Sequence, residues 1–398
     1  ELRRREIERR NSLTETAEAA DDFTKQLVLA ADQFIVSRGA GKTVIAGYPW
    51  FSDWGRDTMI ALNGLTLATN RPEIAKGILL EFSKYISAGM IPNRFPDAGE
   101  TAEYNTIDAT LWYFEAIRAY TEKTNDYEFV RTNLYEKLVD IMLRHIYGTR
   151  YNIHLDTDGL LFAGADKTQL TWMDAKDGDT VFTPRIGKPV EIQALWYNAL
   201  KIMARFAEEF DDLKDHDLYD SMAFAAKETF NRMFWNEADG CLFDVVENGN
   251  RDASVRPNQI FALSLPHPIL TDAEKAKKII AKVENELLTP AVLRSLAPHD
   301  SRYCPVYAGT PFARDSCYHQ GTVWAWLIGG FADAYRKFYP DAADEKIKDI
   351  LAGFENQLTE AGIGQISEIF DAAAPFTPRG CPAQAWSIAE VLRVKLKS

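Results

Sequence analysis

Tyr48-Pro-Trp-Phe-Ser-Asp-Trp-Gly-Arg-Asp57 gathers aromatic rings, two carboxylates and a guanidinium within ten positions. Directly after it, Met59, Ile60, Leu62, Leu65 and Leu67 are apolar at helical spacing. The polar cluster therefore falls in a loop and the first turn of a helix. Asp57 lies near that helix N-terminus, where free N–H groups and the dipole favour a carboxylate. Arg56 can fork onto vicinal hydroxyls or a carboxylate, and the Trp and Tyr rings offer apolar faces with a polar edge. The mixture suits a sugar, with hydroxyls round its rim and C–H groups on its faces. The bland alternative is an N-cap beside a surface ion pair. It loses ground because the same design recurs along the chain.

Working outward, periodicity predicts helices over about 15–37, 56–70 and 72–87, one beginning near 105 with Leu111, Trp112, Phe114 and Ile117, and others over about 127–147, 189–210, 213–234, 256–263, 272–287, 319–338, 342–360 and 381–395. They alternate in character. One of each pair has an ordinary charged face. The other is poorer in charge, richer in Trp and small residues, and follows a loop dense in aromatics and acids. A helix apolar nearly all round is buried. Six such helices inside six amphipathic ones make an all-α (α/α)6 toroid, with short β-hairpin insertions at 156–162 and 237–243, where Asp-Gly turns occur. Calcium binding at those acids lacks the alternating ligand set, and turn chemistry explains them. Arg38-Gly-Ala-Gly-Lys-Thr43 mimics the tail of a phosphate-binding loop, but a helix rather than a strand precedes it.

The loops ahead of the inner helices line one end of such a ring, so a ligand site is expected there. They supply the candidate sugar contacts: Trp50, Asp53, Trp54, Arg56 and Asp57 in the first, and Asn93, Arg94, Asn105 and Asp108 before the second. Trp172 and Lys176 precede the third, His319, Gln320 and Trp324 open the fifth, and Trp386 belongs to the sixth. Each Trp has core packing as its plain alternative. His319 reads as a general base, a hydroxyl binder or a structural histidine. Asp174, between Met173 and Ala175 and two residues from Trp172, is partly desolvated, which raises a carboxyl pKa and suits a general acid. A loop turn or cap is the ordinary reading of such an Asp. Glu368 stands in an apolar run and must pair, cap or work, with Asp371 as its rival.

A net charge of −13 argues against nucleic-acid and anionic-membrane surfaces. Cys241, Cys304, Cys317 and Cys381 are scattered without a CxxC, so neither a zinc site nor a disulfide framework is expected, and a reduced cytosolic setting fits. No cofactor or metal is expected. No apolar run reaches membrane-spanning length. Residues 1–14 read as a charged lead-in from a truncated upstream region, with a partner domain before them, and residues 15–398 as one catalytic domain.

Six segments carry a resemblance: Pro49-Trp-Phe-Ser-Asp-Trp-Gly-Arg-Asp57, Gly89-Met-Ile-Pro-Asn-Arg-Phe-Pro-Asp97, Glu103-Tyr-Asn-Thr-Ile-Asp-Ala-Thr-Leu-Trp112, Thr171-Trp-Met-Asp-Ala175, Tyr318-His-Gln-Gly-Thr-Val-Trp324 and Ile366-Ser-Glu-Ile-Phe-Asp371. In this order they look like the amylo-α-1,6-glucosidase domain of glycogen debranching enzymes. Trp54-Gly-Arg-Asp57 is more distantly similar to the Trp-x-Arg-Asp element of glucoamylases. The resemblance implies the toroid, a branched α-glucan as substrate, Arg56 and Asp57 holding the terminal glucosyl unit, Asp174 as acid and Glu368 as base. The expected activity is inverting, exo-acting hydrolysis of α-1,6 stubs of glycogen or limit dextrins. The rivals are another toroid enzyme, such as an α-1,4 exo-glycosidase or an epimerase with a histidine pair, and a non-catalytic sugar-binding scaffold.

Overall fold

The computed structural model describes residues 1–39, 41–95, 101–247 and 249–397. Pro96 and Asp97 of the 89–97 segment and Ala40 of the 38–43 stretch lie outside them. The chain is helix-rich, with small sheets set between the helices.

Two kinds of helix recur. Ala273–Leu287 buries Ala276, Ile279, Ile280, Val283 and Leu287, a single stripe at helical spacing, and keeps its lysines and glutamates out of that stripe, half-buried or exposed. Val190–Glu209 is buried nearly all round. Its polar side chains are accordingly satisfied: Gln193 bonds the backbone N–H and C=O of Leu161 at 2.9 Å each, and Asn198 donates to Glu115 Oε2 at 2.9 Å.

The buried helices touch in a closed sequence. Gly55–Leu62 packs on Asp108–Thr124, that on Val190–Glu209, that on Phe261–Ser264, that on Ile328–Phe338, that on Ala385–Leu396, and the last returns to the first. The closing contact is tight. A Cβ on Gly64, in the π-helical turn Asn63–Leu67, would sit 2.0 Å from the carbonyl oxygen of Ala389. Only glycine lets these two backbones approach so far. Amphipathic helices lie against this set: Asp22–Gln33 on Ala385–Leu396, Pro72–Ser83 on Asp108–Thr124, Leu213–Met233 on Val190–Glu209, and Pro340–Gln357 on Ile328–Phe338.

Several boundaries differ from the periodicity. The expected helix over 15–37 is shorter, Asp22–Gln33, because Asp21 caps it by accepting from the Thr24 N–H at 2.8 Å, and a separate helix, Leu2–Thr16, covers most of the expected lead-in. Residues 35–38 pair instead with 41–44 as a hairpin. The fifth and sixth buried helices begin later than expected. Val323–Trp324 and Ala383–Gln384 are β-paired before the chain coils, with Leu293–Arg294 and Ile369–Phe370 in the first case and with Gly47–Tyr48 in the second. Apolar residues at a strand-to-helix junction fit either period, so periodicity alone extends the helix backward. The two expected hairpins form, pairing 154–155 with 161–162 and 235–236 with 241–242. Asp156 and Asp158 both accept from Lys188 Nζ, at 2.7 and 2.5 Å.

Cys304 and Cys317 are joined in a disulfide, contrary to the expectation drawn from their scatter, with Cα atoms 5.3 Å apart. The 13-residue spacing carries no signal because the intervening loop folds back to bring its ends together. Among the described residues no helix is long and apolar enough to cross a membrane.

Candidate active site

At the N-terminal end of the buried helices, Arg56 is the hub. It is 2% exposed, and its Nε donates to both oxygens of Asp108 at 2.9 Å. Its Nη1 donates to Asp174 Oδ2 at 2.7 Å and its Nη2 to Thr106 Oγ1 at 3.3 Å. The sequence pattern pairs Arg56 with its neighbour Asp57. The guanidinium instead reaches across to two other loops, because consecutive helical residues point to different faces. Asp57 accepts from Gln384 Nε2 at 3.3 Å. Burial pushes its carboxyl up to about 8, against the pull of Arg56 and with help from the charges of Asp174 and Glu368.

Asp174 belongs to an irregular segment held from behind. Thr171 accepts from Arg185 at 3.2 Å, and Trp172 Nε1 donates to Asn258 Oδ1 at 2.7 Å. Asn258 donates to Asp244 at 2.7 Å, and Arg185 clamps both Asp244 and Glu191. Arg256 spans this network and the fifth loop, donating to the carbonyl of His319 at 2.7 Å and to Gln320 Oε1 at 2.8 Å. Burial raises the Asp174 pKa, Arg56 opposes the rise, and Asp108 adds to it. Its side chain remains 24% exposed, open to a ligand.

Glu368 comes from the opposite side. Ile369–Phe370 pairs with Val323–Trp324 and with Pro378–Arg379, and these short strands fix the residue just before them. Its Oε2 accepts the Cys381 N–H at 2.8 Å, and its Oε1 accepts the Tyr318 hydroxyl. Gly380, at φ +64°, makes room: a Cβ there would lie 2.4 Å from Glu368 Oε2. Burial pushes Glu368 up to about 7; the two hydrogen bonds oppose this and the Asp174 charge adds to it. Asp371 is occupied elsewhere. It accepts the Tyr307 N–H at 2.8 Å and pairs with Arg379 at 2.9 Å, so it holds the disulfide-closed loop.

The floor is aromatic. Trp324 stacks on His319 at 5.1 Å, Trp172 meets both edge-on at 5.2 and 5.4 Å, and Trp386 abuts Trp324 at 5.8 Å. His319 is 1% exposed with neither ring nitrogen bonded to protein, and burial drives its pKa well below the usual value. A neutral imidazole can donate from one nitrogen and accept at the other, as a sugar hydroxyl requires. Asn93 is likewise buried with both amide atoms unbonded.

Other sequence candidates stand apart or are engaged. Asp53 accepts from Arg38 at 2.8 Å and Thr43 at 3.1 Å, tying the 35–44 hairpin. Gln320 is saturated by Arg256, Phe182 and Thr183. Arg94 pairs with Glu103 at 3.1 Å, and Lys176 donates to the Lys167 carbonyl at 2.9 Å. Trp50 is 61% exposed, while Trp54 meets Phe51 edge-on at 6.2 Å. Asn105 has its side-chain oxygen buried and unbonded. Sequence reasoning missed Tyr318, Gln384 and the Arg185–Asp244–Asn258 network. Tyr318 immediately precedes His319 and opens one of the resemblance segments, a signal to which no role was given.

The amylo-α-1,6-glucosidase family model matches residues 29–393. The chain is 26% identical over 458 residues to the glycogen debranching enzyme of Saccharomyces cerevisiae, covering 88% of this chain and 30% of that protein. Among solved structures, a GH63 mannosylglycerate hydrolase from Thermus thermophilus in complex with glucose superposes with a TM-score of 0.68 at 16% identity. An uncharacterized conserved protein from the same organism gives 0.67 at 18%. Each covers 94% of this chain and all of the other (100%), and at these identities the likeness speaks for the fold alone. The chain belongs to the amylo-α-1,6-glucosidase family.

Proposed function

We propose that residues 15–398 form an (α/α)6 toroid acting as an inverting exo-glucosidase on α-1,6-linked glucosyl stubs of branched α-glucans. The chain spans about 30% of the yeast relative's length, so any chain-transferring activity of a longer protein is a separate question. The observation that carries the reading is the convergence of two carboxyls from opposite loops, half-buried Asp174 and buried Glu368, each raised in pKa, with the Asp174 charge acting on Glu368 and both charges acting on Asp57.

The partners of each acid suggest its role. Glu368 accepts two hydrogen bonds, one on each oxygen, which favours the ionised form that takes a proton from water. Asp174 is bonded through Oδ2 and part-exposed, so it can hold a proton toward the leaving oxygen. Inversion requires carboxyls roughly 6.5–9.5 Å apart, leaving space for water. Arg56 then sets Asp174 and Asp108, Asp57 and His319 meet sugar hydroxyls, and the Trp floor takes the C–H face. No metal takes part.

The Arg56–Asp174 pair and the pKa of Glu368 near 7 favour a second reading, with the two roles exchanged. Both are tested with α-glucosyl fluoride, which needs no acid. In the first reading Asp174→Asn keeps activity on the fluoride while losing it on panose, and Glu368→Gln fails on both. The converse pattern exchanges the roles. Wild-type protein inactive on panose, isomaltose and limit dextrin overturns the glucosidase reading.

A further inference from the structure

The buried helices carry charge at their other end as well. Glu115, Arg118 and Glu122 follow one another on Asp108–Thr124; Asp333 and Lys337 lie on Ile328–Phe338, and Glu390 and Arg393 on Ala385–Leu396. These side chains surround a cavity of about 360 Å³, with Trp112, Phe261 and Trp326 among its lining residues. None of the catalytic candidates lines it. Trp326 marks the partition: it stacks on Trp386 at 5.2 Å and meets Trp172 edge-on at 5.3 Å, while Phe261 lies flat against it at 5.5 Å. At the far end Glu122 and Lys397 are 67% and 52% exposed, which opens the cavity to solvent away from the catalytic loops.

The charges cancel locally. Arg118 pairs with Glu115 at 2.6 Å and also with Glu122. Arg393 pairs with Glu390 and with Asp333 at 2.7 Å each. Lys337 donates to the carbonyls of Leu263 and Ser264 at 3.3 and 3.0 Å. Replacing a buried ion pair by apolar residues of the same volume is often neutral or stabilising, so stability does not account for the buried Arg393–Glu390 pair, with half-buried Glu115, Arg118 and Asp333 beside it, around a void. Burial holds the Lys337 amine down to about 8. A cavity within the roughly 300–1,000 Å³ of small-molecule sites, with aromatic walls and convergent polar groups, is the ordinary form of a binding pocket. Arg336 also lines the cavity, donating to the Val394 carbonyl at 3.1 Å and lying 3.9 Å from Asp333, with its Nη1 buried and unbonded, so it holds an N–H free for a hydroxyl, while four carboxylates among five cations leave little net charge to favour a bare ion. Paired carboxylates and guanidiniums keep spare lone pairs and N–H groups for vicinal hydroxyls, and rings accept an apolar face.

We propose that this cavity is a second carbohydrate site, taking a neutral glucosyl or maltosyl unit at the mouth opposite the catalytic loops. It is independent of the acid and base assignment, since binding here involves none of those residues.

The test uses D-glucose and maltose with the Glu368→Gln protein, so that nothing turns over. Calorimetry is expected to resolve two classes of site, and a maltose-soaked crystal to hold one sugar in each. Ala119→Phe fills the cavity wall and is expected to weaken the second class at least tenfold, leaving the first intact. In an otherwise wild-type chain it leaves the initial rate on a small α-glucoside unchanged. Should Ala119→Phe not fold, the mouth variant Glu122→Ala with Lys397→Ala is expected to weaken the same class several-fold. Sugar binding in solution that neither cavity variant weakens, whether in one class of site or two, or inorganic phosphate binding the cavity in preference to maltose, overturns the proposal. A chain inactive on all glucosides that still binds maltose there leaves this site standing and removes only the catalytic reading.

Discussion

Tyr318 donates its hydroxyl hydrogen to Glu368 Oε1, and the residue before it, Cys317, is cross-linked to Cys304. The phenol keeps its proton, because burial and the neighbouring carboxylate push its pKa well above the ordinary value. It therefore acts as a fixed donor that orients Glu368 and favours its ionised form. Tyr318→Phe is expected to lower kcat about 10- to 100-fold with a smaller change in KM, less than the roughly 100- to 10,000-fold loss expected at the proton-transfer group itself. The acidic limb of the kcat/KM profile should move to higher pH. An unmoved limb would make the tyrosine merely structural.

Reduction of the Cys304–Cys317 bond bears on the same contact. The loop it closes also delivers the Tyr307 N–H to Asp371. Loss of a cross-link over a loop of this size costs about 2–3 kcal/mol. Cys304→Ser is expected to lower both Tm and kcat, and reductant should reproduce the effect on wild type. Equal Tm and kcat with and without reductant would contradict this.

Arg56 tests the architecture of the site. Arg56→Ala leaves Asp108 buried and Asp174 half-buried without their cation, a loss of about 3–5 kcal/mol for the buried Arg56–Asp108 pair. Arg56→Lys restores charge but not the planar fork that serves two carboxylates at once. It is expected to recover much of the Tm while kcat/KM stays at least tenfold down, measured by thermal denaturation and by turnover of panose. A fully active Arg56→Lys would show that the fork is unnecessary.

Asp57 gives a pH signature. Its folded pKa of about 8 lies above the ordinary 3.8, so its favourable contribution is present at low pH and is lost as pH rises from the lower value through the higher. Asp57→Asn removes that loss. The variant is expected to be more stable than wild type at about pH 8.5, with the advantage vanishing near pH 4, while turnover falls sharply. A pH-independent Tm difference would contradict the assigned ionisation.

Much of this was legible in the sequence. The alternation of stripe-faced and all-round apolar helices is a property of side-chain spacing, and Ala273–Leu287 and Val190–Glu209 display the two kinds. The loops before the buried helices were recognisable because acids, Arg and Trp cluster where neither period explains them. What could not be read is partner choice across the chain. Arg56 pairs with Asp108 and Asp174, 52 and 118 residues away, rather than with adjacent Asp57. The Arg185–Asp244 contact, the Cys304–Cys317 cross-link and the strand pairing of Val323–Trp324 are likewise set by long-range packing. So is the cavity behind Trp326, whose charged residues read singly as ordinary helix surface.

The most direct measurement of the central claim is the anomer first released. Proton NMR during the opening minutes of panose hydrolysis, before mutarotation mixes the products, is expected to show β-glucose, the product of water attacking an α-linkage from the opposite face. Initial α-glucose would contradict the inverting arrangement of Asp174 and Glu368.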